Sequence, residues 1–151
     1  MALSAPAHRR REYPHESGRP AEHHTPTFPL WILLARNVNR FVWAIEKDQT
    51  GVDCCTRVGF SEVATPTIVT TSRHRNVPLS GQFWIEPANG RVWRATLNFK
   101  EPQEHVEGSF DVRYAPVSEV NVLVPERLWE WSKTPDPEVA GRMAYVEGRA
   151  M

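Results

Sequence analysis

Apolar and polar side chains alternate with a period of two residues from residue 40 onward, and this alternation restricts the fold more than any other feature. Successive side chains of a β-strand point to opposite faces, so the period predicts strands with one buried and one solvated face. Gly, Pro, Asn and Asp residues interrupt the alternation repeatedly, which is typical of turns between antiparallel strands. The sequence therefore predicts a mostly β protein built on an antiparallel sheet.

The best-defined element is a hairpin centred on Pro87-Ala88-Asn89-Gly90. A three-residue loop of residues 88–90, with Gly90 in the left-handed conformation, places small or apolar residues opposite each other on one face. Shifting the loop by one residue would pair Phe83 with Arg94 and mix the two faces, which a half-buried sheet disfavours. We also expect Arg94 to stack on Trp84. The predicted pairs are Pro87–Arg91, Ile85–Trp93, Phe83–Ala95, Gly81–Leu97 and Leu79–Phe99 on the inner face, and Trp84–Arg94, Gln82–Thr96 and Ser80–Asn98 on the outer face.

Further strands are predicted where β-branched or aromatic residues alternate with polar ones. They cover residues 41–45, 52–60, 66–71, 109–115, 120–124 and 143–151. Residues 127–132 fit either a strand or one helical turn, and Trp129 and Trp131 favour the strand. Residues 28–44 have apolar side chains at helical spacing, which is compatible with a helix. Residues 72–76 and 133–137 are predicted loops, the second because prolines flank Asp136 on both sides.

Cys54 and Cys55 are adjacent in the sequence. Because neighbours in an extended strand point to opposite faces, we expect no disulfide between them, with Cys54 facing inward and Cys55 outward. Two interpretations are open: a thiol pair for a soft metal or redox chemistry, or a small buried residue beside a half-exposed one, which is favoured. The sequence has no second cysteine pair, which argues against a zinc site.

The chain divides into a polar tail and an ordered part. Residues 1–27 contain four prolines, four of the 6 histidines and too few apolar residues to bury a face, so we expect a disordered tail. Residues 28–151 are predicted to form one antiparallel β domain. We expect this domain to be truncated at its C-terminal end, since the final strand runs to Met151 without a stop signal.

Charge and hydropathy exclude several classes of partner. Lys and Arg total 18 and Asp and Glu total 18, so we expect no general nucleic-acid binding, which requires surplus positive charge. The longest apolar run, residues 28–35, is too short for a membrane span, which takes about 20 residues. This run also lacks the flanks of a signal peptide, so the chain as written carries no export signal and is expected to be cytoplasmic.

No catalytic motif is recognisable in the sequence. It has no nucleophile elbow, no glycine-rich phosphate loop and no dinucleotide fingerprint. The acidic segment with Glu101, Glu104, His105 and Glu107 is compatible with a hard cation, but a solvated loop is the favoured interpretation. We therefore predict no enzymatic activity, no cofactor and no metal site.

Residues 80–92, Ser-Gly-Gln-Phe-Trp-Ile-Glu-Pro-Ala-Asn-Gly-Arg-Val, resemble a hairpin of uncharacterised bacterial proteins that are often exported. Residues 124–130, Val-Pro-Glu-Arg-Leu-Trp-Glu, resemble a later strand of the same proteins, and residues 60–62 and 66–68 fit more loosely. The implied fold is similar to periplasmic lipoprotein-carrier and sigma-factor-regulator domains, a strongly curved, half-barrel-like antiparallel sheet. The resemblance covers about residues 52–151 and implies a periplasmic or secreted location, with no catalytic residues to carry over.

The tryptophans, 6 in the chain, point to a binding role because a curved sheet lined by large apolar side chains can hold an apolar ligand. We therefore predict a non-enzymatic domain that binds a lipid or a lipidated protein. The residues expected to face this ligand are Trp43, Phe83, Trp93, Phe99, Trp129 and Trp131. Three alternatives are open: tryptophans that only fill the core, an interaction or structural module that uses exposed sheet edges, and an enzyme of unrecognised type.

Overall fold

A computed structural model describes residues 26–46, 54–119, 121–135 and 140–151, and the fold within these ranges is mostly β. The expected polar tail therefore lies outside the described residues, except for Pro26 and Thr27. Two short helices come first, and nine strands follow in the described ranges. The elements are α1 (Phe28–Trp31), α2 (Ala35–Val38), β1 (Phe41–Ile45), β2 (Thr56–Glu62), β3 (Val69–Thr70), β4 (Asn76–Val77), β5 (Leu79–Ile85), β6 (Val92–Glu101), β7 (Val106–Val117), β8 (Val122–Pro135) and β9 (Met143–Ala150).

Seven of the described strands form one antiparallel sheet in the order β1-β2-β5-β6-β7-β8-β9, while β3 and β4 pair with each other. The sheet is curved and does not close into a barrel, so β1 and β9 are its two edges. The predicted curved antiparallel sheet is confirmed. The connection between β2 and β5 contains β3 and β4, and this connection, residues 63–78, is called the strap below.

The inner face of the sheet carries the core, and the segment before β1 covers part of it. Phe60 and Phe83 stack at a ring distance of 5.0 Å, and Ile32, from the turn after α1, is completely buried against the same cluster. The helix expected within residues 28–44 is reduced to two single turns. The backbone at Leu34 is extended, with ψ 142°, and the chain from Phe41 onward pairs with β2.

The hairpin register is confirmed for the six pairs from Leu79–Phe99 to Trp84–Arg94. The two pairs nearest the turn are wrong: Ile85 lies opposite Val92, and the Glu86 N–H donates to the Arg91 carbonyl at 2.8 Å. The loop thus has four residues, 87–90, and a register shift between Trp84 and Ile85 restores the predicted pairing. Gly90 is left-handed, with φ 72°, and the Arg94 guanidinium lies 4.5 Å from the Trp84 ring centroid, as expected.

The last strands are longer than the sequence predicts. The sequence predicts separate strands over residues 120–124 and 127–132, but Val122–Pro135 forms one strand, β8. Pro125 lies opposite Tyr114 at a register shift, and such a bulge accommodates a residue that has no backbone N–H to donate. The loop expected at residues 133–137 is wrong in its first part, because residues 133–135 pair with β9.

Cys54 and Cys55 form a disulfide with each other, and Cys55 is buried while Cys54 is exposed. The expected absence of a disulfide and the expected inward position of Cys54 are therefore both wrong. β2 begins at Thr56 and Cys54 lies in the turn before it, so the alternation of the strand does not extend to the two cysteines. Residues 52 and 53 of the predicted strand lie outside the described residues.

Candidate ligand-binding cavity

A cavity of about 1000 Å³ lies between the inner face of the sheet and the strap. Its volume is at the upper end of the range for small-molecule sites, about 300–1000 Å³. One wall comes from β5, β6, β7 and β8, and the other comes from α1, β3 and β4. The apolar residues that line it are Phe28, Val69, Val77, Leu79, Phe99, Val106, Phe110 and Pro135.

The floor of the cavity consists of apolar side chains that other protein atoms cover almost completely. Val77, Leu79 and Phe110 have exposed fractions of 0%, 1% and 2%. The rings of Phe28 and Phe99 lie 6.4 and 6.2 Å from the ring of Phe110, so aromatic surface covers both walls. The half-buried apolar side chains around the floor, such as Phe28, Val69 and Phe99, supply the surface that an apolar ligand would remove from water, and such burial is favourable in proportion to area.

Gly108 allows Phe99 to lie flat against the sheet. A Cβ atom at Gly108 would collide with the Phe99 ring and would lie 2.7 Å from the Trp131 carbonyl oxygen. The two residues are paired across β6 and β7, so the ring of Phe99 occupies the space that a side chain at Gly108 would fill. The shape of this wall thus depends on glycine at one strand position.

Glu62 holds the interior of the strap and the first residue after it. It follows Phe60 by two positions, so the alternation of β2 turns its carboxylate inward, where the side chain is completely buried. The carboxylate accepts the Ile68 N–H at 2.8 Å and the Leu79 N–H at 3.3 Å, and the Arg40 Nε lies 3.4 Å away. A buried carboxylate is tolerable when donors surround it in this way.

Thr67 and Asn76 hold β3 against β4. The Asn76 Oδ1 accepts the Thr67 N–H at 2.9 Å, and the Thr67 Oγ1 accepts the Val77 N–H at 2.9 Å while donating to the Val69 carbonyl at 2.5 Å. These bonds replace a longer strand ladder, which two-residue strands cannot provide. They fix the position of Val69 and Val77 in the cavity wall.

The rim of the cavity is polar and is formed by two turns. The first carries Ser72, Arg73 and His74, and the second carries Gln103, Glu104 and His105. Arg75 joins the turns: its Nε lies 3.2 Å from the Glu104 Oε1, and its Nη1 donates to the Gln103 Oε1.

The second turn is organised by Glu101, which accepts the Glu104 N–H at 2.5 Å. Glu101 is buried, so the expected solvated loop is wrong at this position, although Gln103 and His105 are exposed. Nor do the described residues contain a group of three or more His, Cys, Asp or Glu side chains placed to hold a metal ion.

Of the six residues predicted to face a ligand, only Phe99 lines this cavity. Phe83 is completely buried, and Trp43 packs 6.3 Å from it and donates its Nε1–H to the Val38 carbonyl at 3.0 Å. Both therefore belong to the core.

Trp93 lies beside the hairpin turn and donates to the Glu86 Oε2 at 3.0 Å. This bond and one from Asn89 hold the pKa of Glu86 below its usual value. Trp129 and Trp131 lie on the outer face of β8, opposite Asp111 and Ser109. Leu128, the residue before Trp129, is buried on the inner face, so the alternation of the strand turns both tryptophans outward.

The sequence contains a signal for several lining residues that were not selected. The alternation already places Leu79 and Phe110 on the inner face, and Val69 and Val77 flank the polar turn at residues 72–76. The predicted set consists of four tryptophans and two phenylalanines, and so it omits these inner-face residues. Phe28 had no such signal, since its position depends on how α1 packs across the sheet.

No family model, curated protein or solved structure matches this chain. Among the described residues, no helix is long and apolar enough to cross a membrane.

Proposed function

We propose that the protein binds an acyl chain in the cavity under the strap, and that it acts by binding rather than by catalysis. The observation that carries this proposal is the cavity itself: about 1000 Å³ of space lined in part by the half-buried apolar side chains of Phe28, Val69, Phe99 and Val106. A concave site of this volume with apolar and aromatic side chains in its lining favours an apolar ligand. The acyl chain belongs either to a free lipid or to a lipidated protein.

The resemblance of residues 80–92 to exported bacterial proteins supports the same class of ligand, because it implies a fold similar to lipoprotein-carrier domains. The same resemblance is the basis for proposing a periplasmic or secreted location. The strap adds a physical argument, since it covers the inner face of the sheet over β6 and leaves the cavity beside it.

The proposal predicts a dependence of affinity on chain length. Each buried CH₂ contributes about 0.8 kcal/mol, which is about a fourfold change in Kd. The neutral alcohols 1-decanol and 1-dodecanol differ by two such groups, so 1-dodecanol should bind about 15-fold more tightly if both groups enter the cavity.

The test is displacement of Nile red from the full chain by the two alcohols, followed by fluorescence, with native mass spectrometry to count bound molecules. We expect saturable displacement, one alcohol per chain and the stated difference in Kd. Equal affinity for both alcohols, or no displacement by either, would contradict the proposal.

A pair of matched variants locates the site. Ser132 is half-buried in the cavity wall, and Ser80 is exposed on the outer face of β5. Ser132→Phe places an aromatic ring inside the cavity and should weaken 1-dodecanol binding, whereas Ser80→Phe should leave the Kd unchanged. Equal effects of the two variants would place the binding elsewhere.

The two sources of an acyl chain are separated by comparing 1-dodecanol with an N-palmitoylated hexapeptide. Palmitoyl and dodecyl chains use the same apolar floor, so Ser132→Phe should weaken both. A preference for the peptide beyond that expected from its longer chain favours a lipidated protein, and no such preference favours a free lipid.

A second candidate function is protein interaction through the sheet edge at β1. Val42 and Ile45 on this edge strand have exposed fractions of 56% and 72%, and β1 contains neither Pro nor Lys, which commonly protect edges. The edge would then pair with a strand of another chain. Size-exclusion chromatography with light scattering tests this by comparing the wild type with Val42→Lys; a concentration-dependent oligomer that the variant abolishes supports it, and identical monomers contradict it.

A further inference from the structure

We propose that the ligand is an amphipath whose anionic headgroup binds at the rim of the cavity, on Arg73, His74 and His105. This inference rests on the proposed function, since the rim is the exposed border of the same cavity. It adds the charge of the ligand to its apolar chain.

An arginine without an ion-pair partner in the described residues lies at the rim and favours an anion. Glu104 is the acidic residue that lines the cavity, and the Nε of Arg75 lies 3.2 Å from its Oε1. The guanidinium of Arg73 makes no ion pair with any residue in the described part of the chain, and its side chain is exposed at the same rim. Within the ranges that the structure describes, the guanidinium of Arg73 is therefore an unpaired cation beside the cavity.

The donor chemistry of the rim fits a carboxylate or a phosphate. A guanidinium presents several N–H donors in a plane, and imidazole rings add N–H donors from the two opposing turns. Arg75 fixes the distance between these turns through Glu104 and Gln103, so Arg73 and His74 on one side face the same opening as His105 on the other.

The two histidines share an uncommon backbone conformation. His74 has φ 59° and His105 has φ 56°, in the left-handed region that residues other than glycine rarely adopt. Both lie in the turns at the rim. The His74 N–H donates to the Thr71 carbonyl at 2.9 Å and the His105 N–H donates to the Pro102 carbonyl at 3.4 Å, and these bonds close the two turns. Backbone outliers of this kind concentrate at ligand-binding sites.

The experiment measures the Kd of the full chain for four compounds with the same chain length: dodecanoate, dodecyl phosphate, 1-dodecanol and dodecyltrimethylammonium, each by displacement of Nile red at low salt. We expect one or both anions to bind at least threefold more tightly than 1-dodecanol, and the ammonium compound to bind most weakly. Dodecanoate and dodecyl phosphate distinguish a fatty carboxylate from a phosphate headgroup.

Variants assign the preference to the rim. Arg73→Gln should weaken the preferred anion about 2- to 5-fold, as expected for an exposed ion pair, and leave 1-dodecanol unchanged. The triple variant Arg73→Gln, His74→Asn, His105→Asn should abolish the preference; asparagine is used because it tolerates the left-handed backbone. Arg127→Gln, which removes the same charge from an exposed position on β8 that faces away from Leu128, is the matched control.

The outcomes separate this inference from the proposed function. If all four compounds bind with equal affinity, or if Arg127→Gln has the same effect as Arg73→Gln, the anionic headgroup site is refuted while acyl-chain binding stands. If none of the four compounds binds, both proposals fail.

Discussion

Replacement of Glu62 by glutamine should loosen the strap and lower the stability of the whole fold. The carboxylate is completely buried and accepts two backbone N–H groups, from Ile68 at 2.8 Å and from Leu79 at 3.3 Å. Glutamine retains one acceptor oxygen, so one of these N–H groups would face the amide NH₂, which is itself a donor.

The magnitude follows from these contacts. A buried donor left without its acceptor costs about 1–3 kcal/mol. Loss of the negative charge also weakens the contact to Arg40, whose side chain is 28% exposed, and such pairs contribute about 0–1 kcal/mol. We therefore expect Glu62→Gln to reduce the free energy of unfolding by about 1–4 kcal/mol.

Urea unfolding followed by tryptophan fluorescence measures this change, with the m-value checked for constancy. Glu126→Gln, at an exposed position of β8, is the matched control and should change stability by less than about 0.5 kcal/mol. Arg40→Gln removes the ion pair together with the bond from Arg40 to the Pro66 carbonyl, leaves the two backbone bonds of Glu62 in place, and should cost about 1 kcal/mol. A loss for Glu62→Gln no larger than that of Glu126→Gln would refute the anchoring role, and a loss equal to that of Arg40→Gln would assign it to the ion pair.

Three further predictions concern the sheet. Gly108→Ala should destabilise the protein by about 1–3 kcal/mol in urea unfolding, because its Cβ would lie 2.7 Å from the Trp131 carbonyl oxygen; a loss below 0.5 kcal/mol would contradict this close packing. Burial raises the pKa of Tyr114, so the folded state keeps the phenol proton at a pH where the unfolded chain releases it. The free energy of unfolding should therefore fall as the pH rises above about 10, and Tyr114→Phe should make this decline shallower. The same variant should cost about 1 kcal/mol at pH 7, because it removes the hydrogen bond to the Pro26 carbonyl. Arg94→Lys should lower the free energy of unfolding by about 1 kcal/mol, because lysine cannot both form the paired bonds to Asp111, at 2.9 and 2.6 Å, and stack on Trp84. A double-mutant cycle with Asp111→Asn that gives no coupling energy would refute this.

The sequence alone determined the antiparallel sheet and most of one register. The alternation around residues 79–99 allows one pairing that keeps both faces uniform, and a slip of a single residue would expose the apolar set, so local pattern was sufficient from Leu79–Phe99 to Trp84–Arg94. Near the turn the pattern failed, because a four-residue loop with a bulge and a three-residue loop give the same register farther along the strands. The vicinal disulfide was missed for a related reason: its geometry depends on a turn, and the period of a strand contains no information about turns.

The cavity was decided by the tertiary structure. Its floor residues could be assigned to a face from the sequence, but a cavity exists only where a second layer covers that face without filling it, and this depends on the path of the strap. That path is set by contacts between residues distant in the sequence, such as Glu62 with Leu79 and Arg75 with Glu104, which no local period records. The sequence therefore specified which side chains point inward, while the packing of the strap and α1 decided which of them remain available to a ligand.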